Sequence, residues 1–450
     1  MGTLMVSISG VRGIVGDGLY PETIIKYTSA YADFIGDGKV VVGRDARVTG
    51  DMVNHLVNGT LLAKGLDVIN LGICPTPTVQ FCVKELNADG GIAVSASHNP
   101  NEWNALKLLN STGQFMTPEE NITMLENLDE DKNSYKRWND IGKNSFYNEG
   151  LQNHIQAVMN MKYIDVEAIR RRKFKVLVDC VNGAGAFVIP QMLKDLGCKV
   201  VEMNCEKSGV FPRLPEPIPE NLTETIKAVN DSKADLGIVV DPDVDRLVLI
   251  ANNGIPFGEE NTITQAVKFI LSKEKGNVVV NLSTTRGVED VASEYGCDVV
   301  RSKVGEANVV KKMKEVNAVI GGEGSGGVIY PAVHYGRDAL VGIAITLQHL
   351  LEFDGTMAEL KEALPKYSIC KKKVELVNID PDYVINKMVD KYNHEKINIE
   401  DGLRIDFKDY WIHLRKSNTE PIIRIIAEAK SYEEAEKYAS EFLNELNAVK

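Results

Sequence analysis

Three stretches of this chain share one grammar of apolar and polar positions. Lys39-Val-Val-Val-Gly, Lys175-Val-Leu-Val-Asp and Asn277-Val-Val-Val-Asn are short β-branched runs. Such side chains fit a pleated, buried surface, so each run predicts a strand. Each is followed by a glycine-containing turn, a helical stretch and a closing unit: Gly65-Leu-Asp-Val-Ile, Gly197-Cys-Lys-Val-Val and Gly296-Cys-Asp-Val-Val. The glycine stands where a helix C-cap needs left-handed backbone, and the residues after it open a second strand. This is the βαβ pattern. Three related α/β domains with mixed sheets are therefore expected, although any α/β protein repeats such units.

The grammar changes between Lys366 and Lys373, where strands of alternating polarity and a terminal helix rich in Glu and Ala predict a smaller α+β domain. Residues 113–160 are expected to be helical and heavily charged, with Glu126 to Lys132 a solvated connector, and Pro215-Glu-Pro-Ile-Pro an extended loop. The domains are placed at 1–155, 156–257, 258–366 and 367–450.

Composition narrows the classes. At 450 residues and 44% hydrophobic the chain can bury several cores. It has no apolar run of about 18 residues and no signal-peptide pattern at its start, so neither membrane insertion nor export is expected and the reading is cytoplasmic. A net charge of −12 without a long basic run argues against nucleic acid. Seven scattered cysteines, never spaced C-x-x-C, point to neither a zinc cage nor a disulfide framework.

The chemistry gathers at a few interruptions of the pattern. Gly91-Ile-Ala-Val-Ser-Ala-Ser-His-Asn-Pro is an apolar run that ends in hydroxyls, an imidazole and a turn signal, which places Ser97 at a strand end. Ser97 and His98 are adjacent, so on a strand they face apart, and the hydrolase Gly-x-Ser-x-Gly elbow is missing. Acyl transfer is disfavoured. The alternatives are a serine that carries a phosphoryl group, which needs a divalent cation and cationic clamps, or ordinary turn residues. Lys107 lies close in sequence to Ser97, and Arg12 stands among glycines and hydroxyls where it could reach an anion. Arg44 and Asp45 are read as a structural pair.

Asp241-Pro-Asp243-Val-Asp245-Arg246 separates two apolar strands. Three clustered carboxylates repel unless a cation joins them, and hard oxygens at this spacing suit magnesium. In the third unit Lys303-Val-Gly305-Glu306 and Gly321-Gly-Glu-Gly-Ser-Gly-Gly place Glu323 and Ser325 as polar islands among glycines, suited to sugar hydroxyls. Arg337 and Asp338 stand where they would cap the next helix. Near the end, Arg415, Ser417, Asn418, Thr419 and Arg424 surround a tight turn, a dense set of phosphate donors.

Four of these motifs, in this order and over essentially the full length, resemble the α-D-phosphohexomutase superfamily: Ser95-Ala-Ser-His-Asn-Pro, Asp241-Pro-Asp-Val-Asp-Arg, Gly322-Glu-Gly-Ser-Gly and Arg415-Lys-Ser-Asn-Thr-Glu-Pro. The resemblance implies four domains around a central cleft, with the fourth a mobile α+β cap. It implies a phosphoserine at Ser97, with Arg12, His98 and Lys107 around it and Arg246 beside the metal. Magnesium would be held by Asp241, Asp243, Asp245 and the Ser97 phosphoryl group. Hexose 6- and 1-phosphates would interconvert through a bisphosphorylated sugar of the glucose 1,6-bisphosphate type that reorients between two transfers. Lys303, Gly305, Glu323, Ser325 and the residues of the last motif would bind the sugar phosphate. Glucosamine phosphate is the expected substrate, glucose or mannose phosphate the alternative, and a monomer or homodimer the expected state. A phosphatase or a silent sugar-phosphate sensor are the rival classes. The chain also departs from the family's pattern: Ala105 stands where glycine is usual and Gly327 where histidine is frequent.

Overall fold

The computed structural model describes residues 2–7, 10–128, 135–376, 379–416 and 422–449. Three of its four sheets repeat one topology. In the first, Lys39–Arg44 lies parallel to both Asp67–Ile73 and Gly90–Val94, and Gly90–Val94 is antiparallel to Trp103–Leu109. In the second, Lys175–Asp179 lies between Lys199–Met203 and Leu236–Val240, with Leu247–Ala251 antiparallel at the edge. In the third, Val278–Asn281 lies between Val299–Ser302 and Ile320–Glu323, with Gly327–Ile329 antiparallel. The three runs read from the sequence are thus the inner strands, and their closing units the neighbours. Gly65, Gly197 and Gly296 all adopt positive φ, at 88°, 73° and 66°.

This common topology decides where chemistry can sit. Parallel strands deliver their loops at one end, where α/β folds bind ligands. The link from third to fourth strand is residues 95–102 in the first unit, 241–246 in the second and 324–326 in the third. The serine, aspartate and glycine-rich motifs are therefore the same loop taken from three repeats. Antiparallel strands, including Gly10–Val15 against Trp103–Leu109, extend the first sheet and bring Arg12 opposite Ala105.

The second and third units share one apolar core, which includes Val240, Leu247, Phe257, Phe269, Val280 and Leu347. Helix Ala339–Phe353 runs through it and is buried on nearly every side over its first twelve residues, as an all-round apolar helix must be. Its N-cap Asp338 also accepts from His154 Nε2 at 2.8 Å and His334 Nε2 at 3.1 Å, which ties it to helix Gly150–Met159. The fourth sheet is wholly antiparallel in the order Ser368–Glu375, Ile422–Ala429, Trp411–Lys416, Leu403–Asp406, Lys396–Asn398. One face is covered by helices Pro381–Tyr392 and Tyr432–Val449. The other meets the third unit, where His413 Nδ1 and Ser283 Oγ are 2.8 Å apart and the Arg286 N–H donates to Glu428 at 2.9 Å.

Two expectations need correction. The strand that leads to Ser97 ends at Val94, and Ser97 lies in the turn beyond it. Among the described residues of 113–160 the helices are Pro118–Glu126 and Gly150–Met159, with the edge strand Asn144–Phe146 between them, and positions 129–132 of the expected connector lie outside the described residues. Among the described residues no helix is long and apolar enough to cross a membrane.

Candidate active site

The serine loop is built on a buried arginine. Arg47, 1% exposed, donates Nη2 to the carbonyls of Ser97 at 2.5 Å and Asn99 at 2.7 Å, and Nη1 to those of Pro100 at 2.5 Å and Trp103 at 3.2 Å. The turn's own N–H groups reach only the Ala96 and Pro100 carbonyls, and one planar fork serves the others. Asp45 holds that fork through Arg47 Nε at 3.0 Å and accepts from Ser95 Oγ at 2.7 Å. The expected Arg44–Asp45 ion pair does not form: Arg44 Nη1 donates to the Asp45 carbonyl at 3.3 Å, while Nη2 pairs with the Asp51 carboxylate. Ser95 Oγ in turn accepts the Ser97 N–H at 3.0 Å, and Ser97 is left at φ 48°, a left-handed conformation unusual outside glycine.

Replacing Arg47 by methionine leaves Asp45 a buried carboxylate without its counter-charge and takes the guanidinium donors from four carbonyls. Stability is expected to fall by about 3–5 kcal/mol, the range for breaking a buried ion pair from one side, as read by the urea midpoint, and turnover should be lost. Adding Asp45→Asn should recover part of the stability and none of the turnover. A single variant that keeps both properties would contradict the scaffold role.

Ser97 Oγ donates to Asp241 Oδ2 at 2.8 Å, across from the first unit to the second. The aspartate loop is held from all sides. The Thr76 N–H donates to the Asp243 carbonyl at 2.9 Å, and the Ala339 N–H to that of Val244 at 3.1 Å. Val244 adopts φ 66°, a strained state for a β-branched residue, of the kind kept where surrounding structure over-determines it. Asp241, Asp243 and Asp245 are all buried, and one oxygen from each lies within 4.8 Å of the others. Asp243 Oδ1 and Asp245 Oδ1 are buried without a hydrogen-bond partner. Two orphaned carboxylate oxygens facing a third carboxylate and a serine hydroxyl fit a hard divalent cation.

Lys107 Nζ donates to Asp243 at 2.7 Å and Asp245 at 3.1 Å. Against the burial that would lower it, these two carboxylates hold Lys107 above the usual lysine range, so it remains a cation. Burial opposes the ionisation of Asp245 too, yet Arg337, Lys107 and Arg246 hold it well below the usual carboxylate range. On the rim, burial and then Arg246 hold Arg12 below the ordinary arginine value. Burial, with Arg246 next, pushes His98 down to about 2, so its imidazole is neutral. Two guanidinium groups crowding one imidazole suit an anion between them.

The structure thus gathers Ser97, His98, Lys107, Arg12, Arg246 and the three aspartates at one place. Glu323 joins them through Arg337, which does not serve as a helix cap: Nη2 meets Asp245 at 2.8 Å, Nη1 meets Glu323 at 3.1 Å and Nε meets Glu306 at 3.0 Å. Asp338 alone fills the capping role, accepting from the Leu340 N–H at 2.8 Å. Ser325 is half-buried beside Glu323, and the Gly305 N–H donates to Glu323 at 2.9 Å, while Lys303 is exposed on the adjoining turn. Arg415 pairs with Asp401, whose carboxylate also accepts the Val304 N–H at 3.0 Å, so this arginine stands beside the Lys303–Gly305 turn. Arg415 and Arg424 are direct cross-strand partners. Like charges in that register repel, an arrangement an anion would relieve. Ser417, Asn418 and Thr419 lie outside the described residues.

Thr76, Gln80 and Asn281 also reach these carboxylates, and no local signal in the sequence marks them. Arg47 had one: a second arginine three residues after Arg44, beyond the strand end.

Family models for the phosphoglucomutase/phosphomannomutase α/β/α domains I, II and III and the C-terminal domain match residues 4–135, 152–254, 260–367 and 372–445. A phosphoglucomutase/phosphomannomutase of Thermococcus kodakarensis is 38% identical over 438 residues, covering 95% of each chain. A phosphoglucosamine/phosphogalactosamine mutase of Sulfurisphaera tokodaii is 35% identical over 452 residues, covering 98% of this chain and 97% of its own. Among solved structures, a phosphoglucomutase/phosphomannomutase family protein from Burkholderia thailandensis superposes with a TM-score of 0.86 at 24% identity, covering 99% of this chain and 98% of that one. With the four domains in order and the serine, aspartate and glycine-rich loops converging, the chain belongs to the phosphoglucomutase/phosphomannomutase family, the α-D-phosphohexomutases.

Proposed function

We propose that this phosphohexomutase interconverts glucosamine 6-phosphate and glucosamine 1-phosphate, with Ser97 as the residue that carries the phosphoryl group. The observation that carries this reading is Ser97 Oγ set 2.8 Å from Asp241, within a ring of buried carboxylates in which Asp243 Oδ1 and Asp245 Oδ1 accept no hydrogen bond. A magnesium ion held by Asp241, Asp243, Asp245 and an oxygen on Ser97 would neutralise charge on the transferring group. Lys107, held protonated, adds a fixed cation beside Ser97. Arg12 and Arg246 bind the phosphoryl oxygens, and neutral His98 orients them without adding charge. Glu323 and Ser325 hold the sugar hydroxyls, beside Lys303 and Gly305. Arg415, Arg424 and the segment of Ser417, Asn418 and Thr419 grip the distal phosphate. Because a bisphosphorylated sugar must present either end to Ser97, those grips serve both orientations. The division at 1–155, 156–257, 258–366 and 367–450 gives each domain one of these loops, and the reaction needs no nucleic acid, membrane or further protein.

The Sulfurisphaera relative bears an amino-sugar name, which supports an amino group at carbon 2. The Thermococcus relative, somewhat more similar, supports a glucose or mannose phosphate as the second reading. Measuring kcat/KM for glucosamine, glucose and mannose 6-phosphates on one preparation compares transition-state binding directly. Glucosamine 6-phosphate is expected to lead. A preference of about tenfold, or roughly 1.4 kcal/mol, for either neutral sugar would overturn the choice. Release of inorganic phosphate without sugar isomer would overturn the mutase reading itself.

A further inference from the structure

We infer that Arg337 is a positioning residue that couples sugar recognition to the metal loop, and that position 327 is glycine because any side chain there would evict it. This rests on the proposed roles of Glu323 and the three aspartates and adds a link between them.

Each nitrogen of the Arg337 guanidinium meets a different carboxylate: Nη2 Asp245 in the second unit, Nη1 Glu323 and Nε Glu306 in the third. Only a planar fork with donors in fixed, divergent directions can do this; an ammonium cannot hold three such partners at these angles. Each carboxylate is also held elsewhere. Glu323 Oε1 accepts from Asn281 Nδ2 at 2.7 Å, and Glu306 Oε1 accepts from Gln80 Nε2 of the first unit at 2.8 Å. Asp245 Oδ2 takes both Arg337 and Lys107, which leaves Oδ1 as its orphaned, buried oxygen. The arginine, together with Lys107 on the same oxygen, therefore fixes which oxygen Asp245 presents to a cation and, through Glu323 Oε2, sets how the sugar-binding carboxylate stands.

Gly327 makes this possible. A Cβ built there would lie 2.4 Å from Arg337 Cδ and 3.0 Å from its Cγ, both inside contact distance. The stem cannot yield, because the head beyond it is fixed by three ion pairs. Because one guanidinium touches both sites, disturbing it must weaken metal and sugar binding together. Partners that orient metal ligands commonly change affinity by about 10–100-fold.

The test uses Gly327→Ala, Arg337→Ala and the double variant, with Arg337→Lys as a fourth protein. Two constants are read on each: Mg2+ dissociation by titration calorimetry without turnover, and KM for glucosamine 6-phosphate, beside a melting curve. Gly327→Ala leaves every charge in place, yet both constants should rise about tenfold. The double variant should be no worse than Arg337→Ala alone, since nothing is left to evict. Arg337→Lys should fold as wild type and still lose both. Wild-type constants in Gly327→Ala, multiplying effects in the double variant, or movement of only one constant would overturn the inference. A wild type that isomerises no sugar phosphate would defeat the proposed function instead, and the calorimetry would still show whether Arg337 positions Asp245.

Discussion

Ser97→Ala is expected to fold as the parent does and to lose turnover by at least about 10⁴-fold, the scale on which removal of a covalent nucleophile acts. The fold should survive because the turn is held by its neighbours: the Ser97 carbonyl and N–H are bound by Arg47 and Ser95, and only the Oγ to Asp241 bond involves the side chain. Alanine tolerates the left-handed φ about as well as serine does. Intact-mass measurement of the active parent should show one phosphoryl group, mapped by peptide analysis to Ser97, and the variant should show none. Binding should outlast chemistry, because the residues proposed to grip sugar and distal phosphate are untouched. A variant that isomerises at near-parent rate, or a phosphoryl group on another serine, would refute the assignment.

What was legible in the sequence was whatever a short window can carry. Val40 to Val42, Val176 to Val178 and Val278 to Val280 announce buried strands by short runs of valine, broken only by Leu177, and Gly65, Gly197 and Gly296 announce the turns that follow. The aspartate triad was legible because three carboxylates between two buried strands have no comfortable state without a partner. Pairings set by the direction of a side chain were less accessible. Arg44 and Asp45 are adjacent in sequence, but adjacent side chains at a strand end point apart, and the Asp45 carboxylate turns to Arg47 two residues on. Arg337 stands beside a true helix cap, Asp338, and nothing in a short window separates the two roles. Its partners lie 92, 31 and 14 positions away, a convergence that appears only when three loops are folded onto one another.

Asp241→Asn should separate metal binding from folding, and in an unusual order. Without metal, Asp241 is buried beside Asp245 and Asp243, and this burial and repulsion hold its carboxyl well above the usual range. A raised carboxyl favours the unfolded state at neutral pH, where the unfolded chain ionises freely, so the charge destabilises the metal-free protein. Asparagine removes it and keeps the shape. Its amide oxygen can accept the Asp245 and Arg246 N–H groups, each now 3.2 Å from Oδ1, while its NH₂ turns toward Ser97 Oγ. In chelator the variant should therefore melt at or above the parent. Magnesium reverses the order. The parent gains about 2.7 kcal/mol at a hundred times its dissociation constant, whereas the variant now aims an N–H donor into the cation's place and should gain little. Turnover should vanish in the variant and return in the chelated parent when magnesium is restored. A variant that melts below the parent in both conditions would mark Asp241 as a structural residue, and an equal magnesium shift in both proteins would place the ion somewhere other than among these three carboxylates.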